Sequence, residues 1–263
     1  GDKEGMAWNI NNIAAYYQHD AYNITNDASK AEAEYDKAIE YHNRAFIMRD
    51  ELGDKMGMAS SAGGVSFCYA SKGKYDKALE YSLIQSKIYD EVGEDYGLIH
   101  SLWGTQEIYY NMGDFDSSLY YLKHALEKSK INDYKDMIAS LLSGIGEVYF
   151  DTGDFEKAID YYTRSIHAFN DVVNRDRLEK IRAVAYICRD LSKIYFYSNN
   201  LDKAIEYIEK YLIIQNETGS KEIELRTTTY LYLIYKHLGR AYDVEEIDSL
   251  IKEETENIEF QLN

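Results

Sequence analysis

The chain has 263 residues, of which 46 are Asp or Glu and 29 are Lys or Arg, giving a formal net charge of −17 and a pI near 4.8. No basic footprint exists for phosphate, which argues against nucleic acid and anionic membrane as partners, and no run of about 20 apolar residues is present to span a bilayer. A protein or peptide of cationic or mixed charge is the better expected partner; the plainer alternative is that the acidic side chains only keep a long exposed chain soluble.

In chain order, GDKEGMA at residues 1–7 opens an apolar rhythm that reaches Tyr17, and NITNDAS at residues 23–29 breaks it and reads as a long connection. YDKAIEY then begins at Tyr35 and returns as YDKALEY at Tyr75, FDSSLYY at Phe115, FEKAIDY at Phe155 and LDKAIEY at Leu201, with a degenerate sixth copy from Ala241. Successive spacings are 40, 40, 40, 46 and 40 residues, and a fixed period in this range signals a stacked solenoid. GDKMGMA at Gly53 repeats the opening segment at an offset of 52, so 12 extra residues lie between Tyr17 and Tyr35. The 46-residue step places about six more near residues 170–180.

Each repeat reads as two helices. Tyr75, Ala78, Leu79 and Ser82 share one face at i, i+3, i+4 and i+7, and Ala62, Val65, Ser66 and Tyr69 do so upstream. Gly73, Gly113, Gly153 and Gly239 precede second helices and stop the first ones, because glycine enters the left-handed region without penalty. The absence of proline and the 27 tyrosines predict helices that continue between repeats, with aromatic packing.

At these residues the chain resembles the tetratricopeptide-repeat family, in the 40-residue form seen in kinesin light chain and bacterial sensor and regulator proteins. The family's small residue of the second helix corresponds to Ala38, Ala78, Ser118, Ala158 and Ala204, and its first-helix tyrosine to Tyr17, Tyr69, Tyr109, Tyr149, Tyr195 and Tyr235. The resemblance implies an all-α, right-handed superhelical solenoid of about six helical hairpins, over residues 1–52, 53–92, 93–132, 133–178, 179–218 and 219–263. It implies that the small residue lets helices approach and that the tyrosine fills space between hairpins. The family's proline is missing and its first-helix glycine survives only as Gly146. A second column, Tyr41, Tyr81, Tyr121, Tyr161 and Tyr207, reads as structural because every repeat carries it. Six repeats fill the chain as one domain, with residues 243–263 as a plausible cap. The first residues fall inside an inter-repeat connection without an initiator Met, so a piece of a longer protein is expected.

No catalytic constellation is found. The six histidines form no HExxH pair, and no CxxC cluster, Walker loop or GxSxG is present. No cofactor or metal is expected, and no enzymatic activity in this segment. Cys68 and Cys188, 120 residues apart, read as buried small hydrophobes and not as a disulfide. The sequons at Asn23 and Asn216 carry little weight.

Recognition then falls to the concave face, which the resemblance implies is lined by first helices. The tyrosine register puts Phe67 and Ala70 there, followed by His100, Trp103, Glu107 and Tyr110, then Ser140, Ser143, Glu147 and Phe150, then Tyr186, Arg189, Lys193 and Phe196. Trp103, Tyr110, Phe150 and Phe196 would anchor a partner, and Arg189 and Lys193 would take a carboxylate. Against this, the aromatics could pack on neighbouring helices, and the two cations could pair with Glu147 or Asp190. The carboxylate clamp of chaperone-binding members is absent: its positions hold Gly63, Phe67, Trp103 and Glu107. So is an asparagine ladder, with Gly64, Gly104 and Gly144 at that position and only Asn12 conforming. Each mid-helix glycine costs roughly 1 kcal/mol relative to alanine, so close packing there is expected in return. A helical or folded partner suits this face better than an extended peptide. The expected role is a non-catalytic binding module, the sensing part of a bacterial regulator in the periplasm or cytoplasm; the alternative is an assembly scaffold.

Overall fold

The computed structural model describes residues 2–24, 26–172 and 177–218. Among them are ten helices and no strand: α1 (Lys3–Asn23), α2 (Ala28–Leu52), α3 (Lys55–Ser71), α4 (Tyr75–Val92), α5 (Asp95–Met112), α6 (Phe115–Ile131), α7 (Lys135–Asp151), α8 (Phe155–Asp171), α9 (Arg177–Tyr197) and α10 (Leu201–Thr218). They pair as five antiparallel hairpins, and the chain divides into two compact units, one through Tyr134 and one from Lys135. In the first unit α2 packs on α3 and α4 on α5; in the second, α8 packs on α9. The sixth repeat, with Tyr235, Gly239 and the proposed cap, lies outside the described residues.

The turn inside the hairpin is built the same way in the four hairpins from α3 to α10. The carbonyl of the first-helix tyrosine accepts a bond from the backbone N–H five residues on: Lys74 to Tyr69 (2.9 Å), Asp114 to Tyr109 (2.9 Å), Asp154 to Tyr149 (2.9 Å) and Asn200 to Tyr195 (2.8 Å). That bond needs a left-handed residue before it. Gly73, Gly113 and Gly153 supply it at φ of 67°, 79° and 80°, and Asn199 does so at 56° where glycine is missing. The next residue begins the second helix, and Asp114 and Asp154 accept from the N–H groups of Ser117 and Lys157, satisfying donors that the helix leaves open.

Helices do not continue between repeats, contrary to the expectation from the missing prolines. Gly53 and Gly93 end α2 and α4 at φ of 71° and 70°, and Asp54 and Glu94 then cap α3 and α5. Left-handed glycine followed by a capping carboxylate breaks a helix without proline. The first insertion is also not a long loop. Asp27 caps α2 through the Lys30 N–H, so the connection shrinks to residues 24–27 and the remaining extra residues lengthen α1 to 21 residues and α2 to 25. Near the second insertion, α9 likewise has 21 residues against 17 in α7.

The small residues Ala38, Ala78, Ser118, Ala158 and Ala204 are all fully buried, as the resemblance implies. The two tyrosine columns meet inside each hairpin, not between hairpins. Ring centroids lie 5.6 Å apart for Tyr17 and Tyr41, 5.9 Å for Tyr69 and Tyr81, 5.4 Å for Tyr109 and Tyr121, 5.6 Å for Tyr149 and Tyr161, and 5.5 Å for Tyr195 and Tyr207. From α3 onward the antiparallel course puts the last turn of one helix opposite the second turn of the next, which brings the two rings together. The lysine of the recurring motif covers the outer face of the first ring: Lys37 at 5.1 Å, Lys77 at 5.2 Å, Lys157 at 5.0 Å and Lys203 at 4.9 Å. Arg44, Arg164 and Lys210 cover the second ring from the other side. Repeated lysines in an acidic chain are thereby explained as aromatic caps.

Hydroxyls join the helices elsewhere. Ser82 meets Thr105 at 2.7 Å and Ser86 donates to Ser101 at 2.9 Å between α4 and α5, while Ser165 donates to the Ala139 carbonyl at 2.6 Å between α8 and α7. Cys68 and Cys188 are buried and free, and burial pushes their thiols up to about 12 and about 11. Since the thiolate is the reacting form, neither should react with iodoacetamide in the native protein at pH 8, and both should do so in 6 M urea. Native labelling would place them at the surface.

A candidate recognition groove

In the first unit a groove of about 500 Å³ opens along α3 and α5. Its walls carry Tyr22 of α1, Phe67 and Ala70 of α3, Gln85 and Tyr89 of α4, and Glu107 and Asn111 of α5. Phe67 is 40% exposed and stands 6.5 Å from the Tyr22 ring at a tilt of 47°. Glu107 is exposed and is the only charged side chain lining the groove among the described residues.

Phe67, Ala70 and Glu107, expected at the groove from the tyrosine register, therefore do line it. Three other positions from the same register have different surroundings. Trp103 is half-buried and outside the lining. Tyr110 is half-buried with its ring edge-on to Phe115 of α6, 5.7 Å away, which ties it to its own hairpin. His100 is exposed and sits edge-on to Tyr96 at 4.7 Å.

In the second unit Glu147 is exposed on α7, and Ser140 and Ser143 are half-buried. Phe150 packs at 6.0 Å from Phe155, and Phe196 lies against the core formed with Leu191 and Ile194. Tyr186 is exposed with the Arg189 guanidinium 5.2 Å over its ring. Arg189 donates to both oxygens of Asp190, at 2.9 and 3.2 Å, and Lys193 donates to the first of them at 3.2 Å. A partner carboxylate would have to displace Asp190 from both cations.

The register missed Gln85, Tyr89 and Tyr22, since it considered only the first helices of the second to fifth repeats. The available signal was the glycine pair Gly63 and Gly64. A Cβ on Gly63 would overlap the Gln85 amide, so the bare Cα is what lets a second-helix side chain cross α3 and reach the groove. A Cβ on Gly64 would overlap the buried His42 ring, and one on Gly146 would stand 2.8 Å from the Tyr162 ring. Close packing in return for helical glycine is thus found at these positions. Gly104 differs: nothing lies within 4 Å of where its Cβ would be, although it lines the groove. Alanine there is expected to stabilise the protein by about 0.5 to 1 kcal/mol. At Gly64 alanine is expected to destabilise it through overpacking. Urea denaturation of the two variants checks the opposite signs.

Behind the groove, His42 of α2 is 3% exposed. Its Nδ1 lies 3.2 Å from Asn11 Oδ1, which also accepts from Arg49 Nη1 at 3.3 Å and Ser61 Oγ at 3.2 Å. Its Nε2 lies 3.2 Å from Gln18 Oε1, so each ring nitrogen faces an amide oxygen and a neutral imidazole can donate to only one of them. Arg49 also donates to the Gly57 carbonyl at 2.7 Å and to Ser61 at 2.8 Å, tying α2 to α3. Among the described residues there is no cluster of His, Cys, Asp and Glu suited to a metal ion, and no helix is long and apolar enough to cross a membrane.

Two family models described as tetratricopeptide repeat match the chain, one over residues 105–171 and one over 185–217. A comparison with curated proteins finds no match. Among solved structures, the chain is similar to a signal transduction ATPase with numerous domains, with a tetratricopeptide repeat sensor, from Pyrococcus horikoshii. The identity is 17% and the TM-score 0.78, covering 100% of this chain and 38% of that one. The apo form of RapI matches at 17% identity and TM-score 0.71, over 94% of this chain and 84% of that one. BtubC from P. vanneervenii matches at 17% identity and TM-score 0.68, over 88% and 91%. At such identities the likeness is one of fold.

Proposed function

This chain belongs to the tetratricopeptide-repeat family, and from that premise we propose that it is a non-catalytic protein- or peptide-binding module, the sensing or interaction part of a bacterial regulatory protein. The observation that carries the reading is the open groove of the first unit, where aromatic, amide and carboxylate side chains from three hairpins converge on an uncovered helix surface. The similarity in fold to a protein with a tetratricopeptide repeat sensor is in keeping with it. The test is capture of partners from bacterial lysate on the immobilised chain, identification, and titration of the purified partner by calorimetry against wild type and a Phe67→Ala, Glu107→Gln variant. Saturable binding lost in the variant is expected, and no saturable partner would sink the reading.

A second reading, an assembly scaffold, is favoured by the large side chains that α1 leaves exposed, among them Trp8, Tyr16 and Tyr22. Sedimentation equilibrium that returned a strict monomer at high concentration would count against it.

A further inference from the structure

We propose that the groove of the first unit receives a lysine or arginine side chain from a peptide segment of the partner, with Glu107 as its counter-charge and the bare backbone at Gly104 as the floor over which the segment lies. This rests on the reading of the chain as a protein-binding module and adds which chemistry the groove selects. Gly104 and Glu107 are three residues apart on α5 and so share a face. Gly63 and Gly64 lack a Cβ because Gln85 and His42 fill that space; at Gly104 the space is open to the groove. A glycine in mid-helix that gives room to no neighbour is accounted for if something outside the chain approaches the backbone there.

Charge decides what approaches. Glu107 is the only charged lining residue among those described, and no ion pair reaches it among them. A neutral segment covering it would strip water from a carboxylate and return nothing, and an acidic one would add repulsion in a chain of net charge −17. An ammonium or guanidinium meets the carboxylate, while its methylene stem lies along Phe67 and Tyr22, whose ring faces also attract cations. Gln85 and Asn111 offer amides to the segment's backbone.

The test uses the full chain and a phage-displayed library of random nonapeptides, followed by fluorescence anisotropy on the most enriched peptides. Enrichment of lysine or arginine beside an apolar residue is expected. Changing that basic residue to glutamine, or using Glu107→Gln, should each weaken binding by about tenfold or more, with little further loss when both are changed. Gly104→Leu should abolish binding. Gly104→Ala should weaken binding while raising the melting temperature, which separates occlusion of the groove from misfolding. Selected peptides without a basic preference, or basic peptides indifferent to Glu107 and Gly104, would overturn the assignment and leave the binding module standing. A library that yields no binder overturns the assignment as well, and the lysate experiment then decides whether the broader reading falls with it.

Discussion

Acidification from pH 7 to pH 4 is expected to remove about 3 kcal/mol of stability through His42 alone. Burial, reinforced by the charge of Arg49, pulls this imidazole from its ordinary 6.5 down to about 4. The unfolded chain therefore takes up the proton first. Stability is full above pH 6.5, falls progressively as the pH drops toward 4, and levels off below that value. The ring is enclosed, with amide oxygens of Asn11 and Gln18 at its two nitrogens and the Gly64 backbone against its edge. Asp114 and Asp154, held below the usual carboxylate range by bonds from Ser117 and Lys157, lose their contribution lower in pH, so the window between 6.5 and 4.5 belongs to the histidine. Urea midpoints for wild type and His42→Gln across this window check the claim through their slopes with pH. Parallel slopes would show that His42 is not buried neutral.

Ala158→Leu is the second large effect, with an expected loss of about 1 to 3 kcal/mol. Ala158 is fully buried near the start of α8, in the same core as Tyr162, Leu191 and Ile194, at the point where α8 lies between α7 and α9. In a core packed as closely as protein interiors are, the added side-chain atoms must push a helix or force a rotamer. Ala33→Leu, on an exposed position of α2, is the control and should change little. A melting curve for Ala158→Leu that overlays the wild type would mean that the repeat register is wrong.

The groove illustrates a trade that neither experiment addresses directly. Gly104 holds a half-buried helix surface open to the groove at a cost in helix propensity, and alanine there should produce a more stable protein that binds less well. Such sites are expected where function needs bare backbone.

Period and punctuation were legible in the amino acids. A 40-residue spacing of alternating helical patterns, with glycine ahead of the second helices, leads to hairpins because periodicity and left-handed turns are local properties. The buried alanines follow from the same register. Local signals misled where they were read by absence: missing prolines suggested continuous helices, yet Gly53 with Asp54 and Gly93 with Glu94 break the chain between repeats. NITNDAS looked like a loop, yet Asp27 caps a helix from within it.

The partners of those residues were decided only by tertiary structure. Both tyrosine columns were visible as columns, but their face-to-face pairing under lysine caps depends on how two helices lie against each other. Gly63, Gly64 and Gly104 are alike in sequence, each a small gap in a helix. Gln85 fills the first, His42 the second, and open groove the third. Likewise the sequence left Arg189 and Lys193 between a partner's carboxylate and a neighbour such as Glu147 or Asp190, and folding puts Asp190 against both. Helix periodicity is written in neighbours three and four residues apart, and so the sequence determined which faces are buried. What occupies a gap or neutralises a charge depends on side chains brought together by folding from tens of residues away, and only the packed structure could decide it.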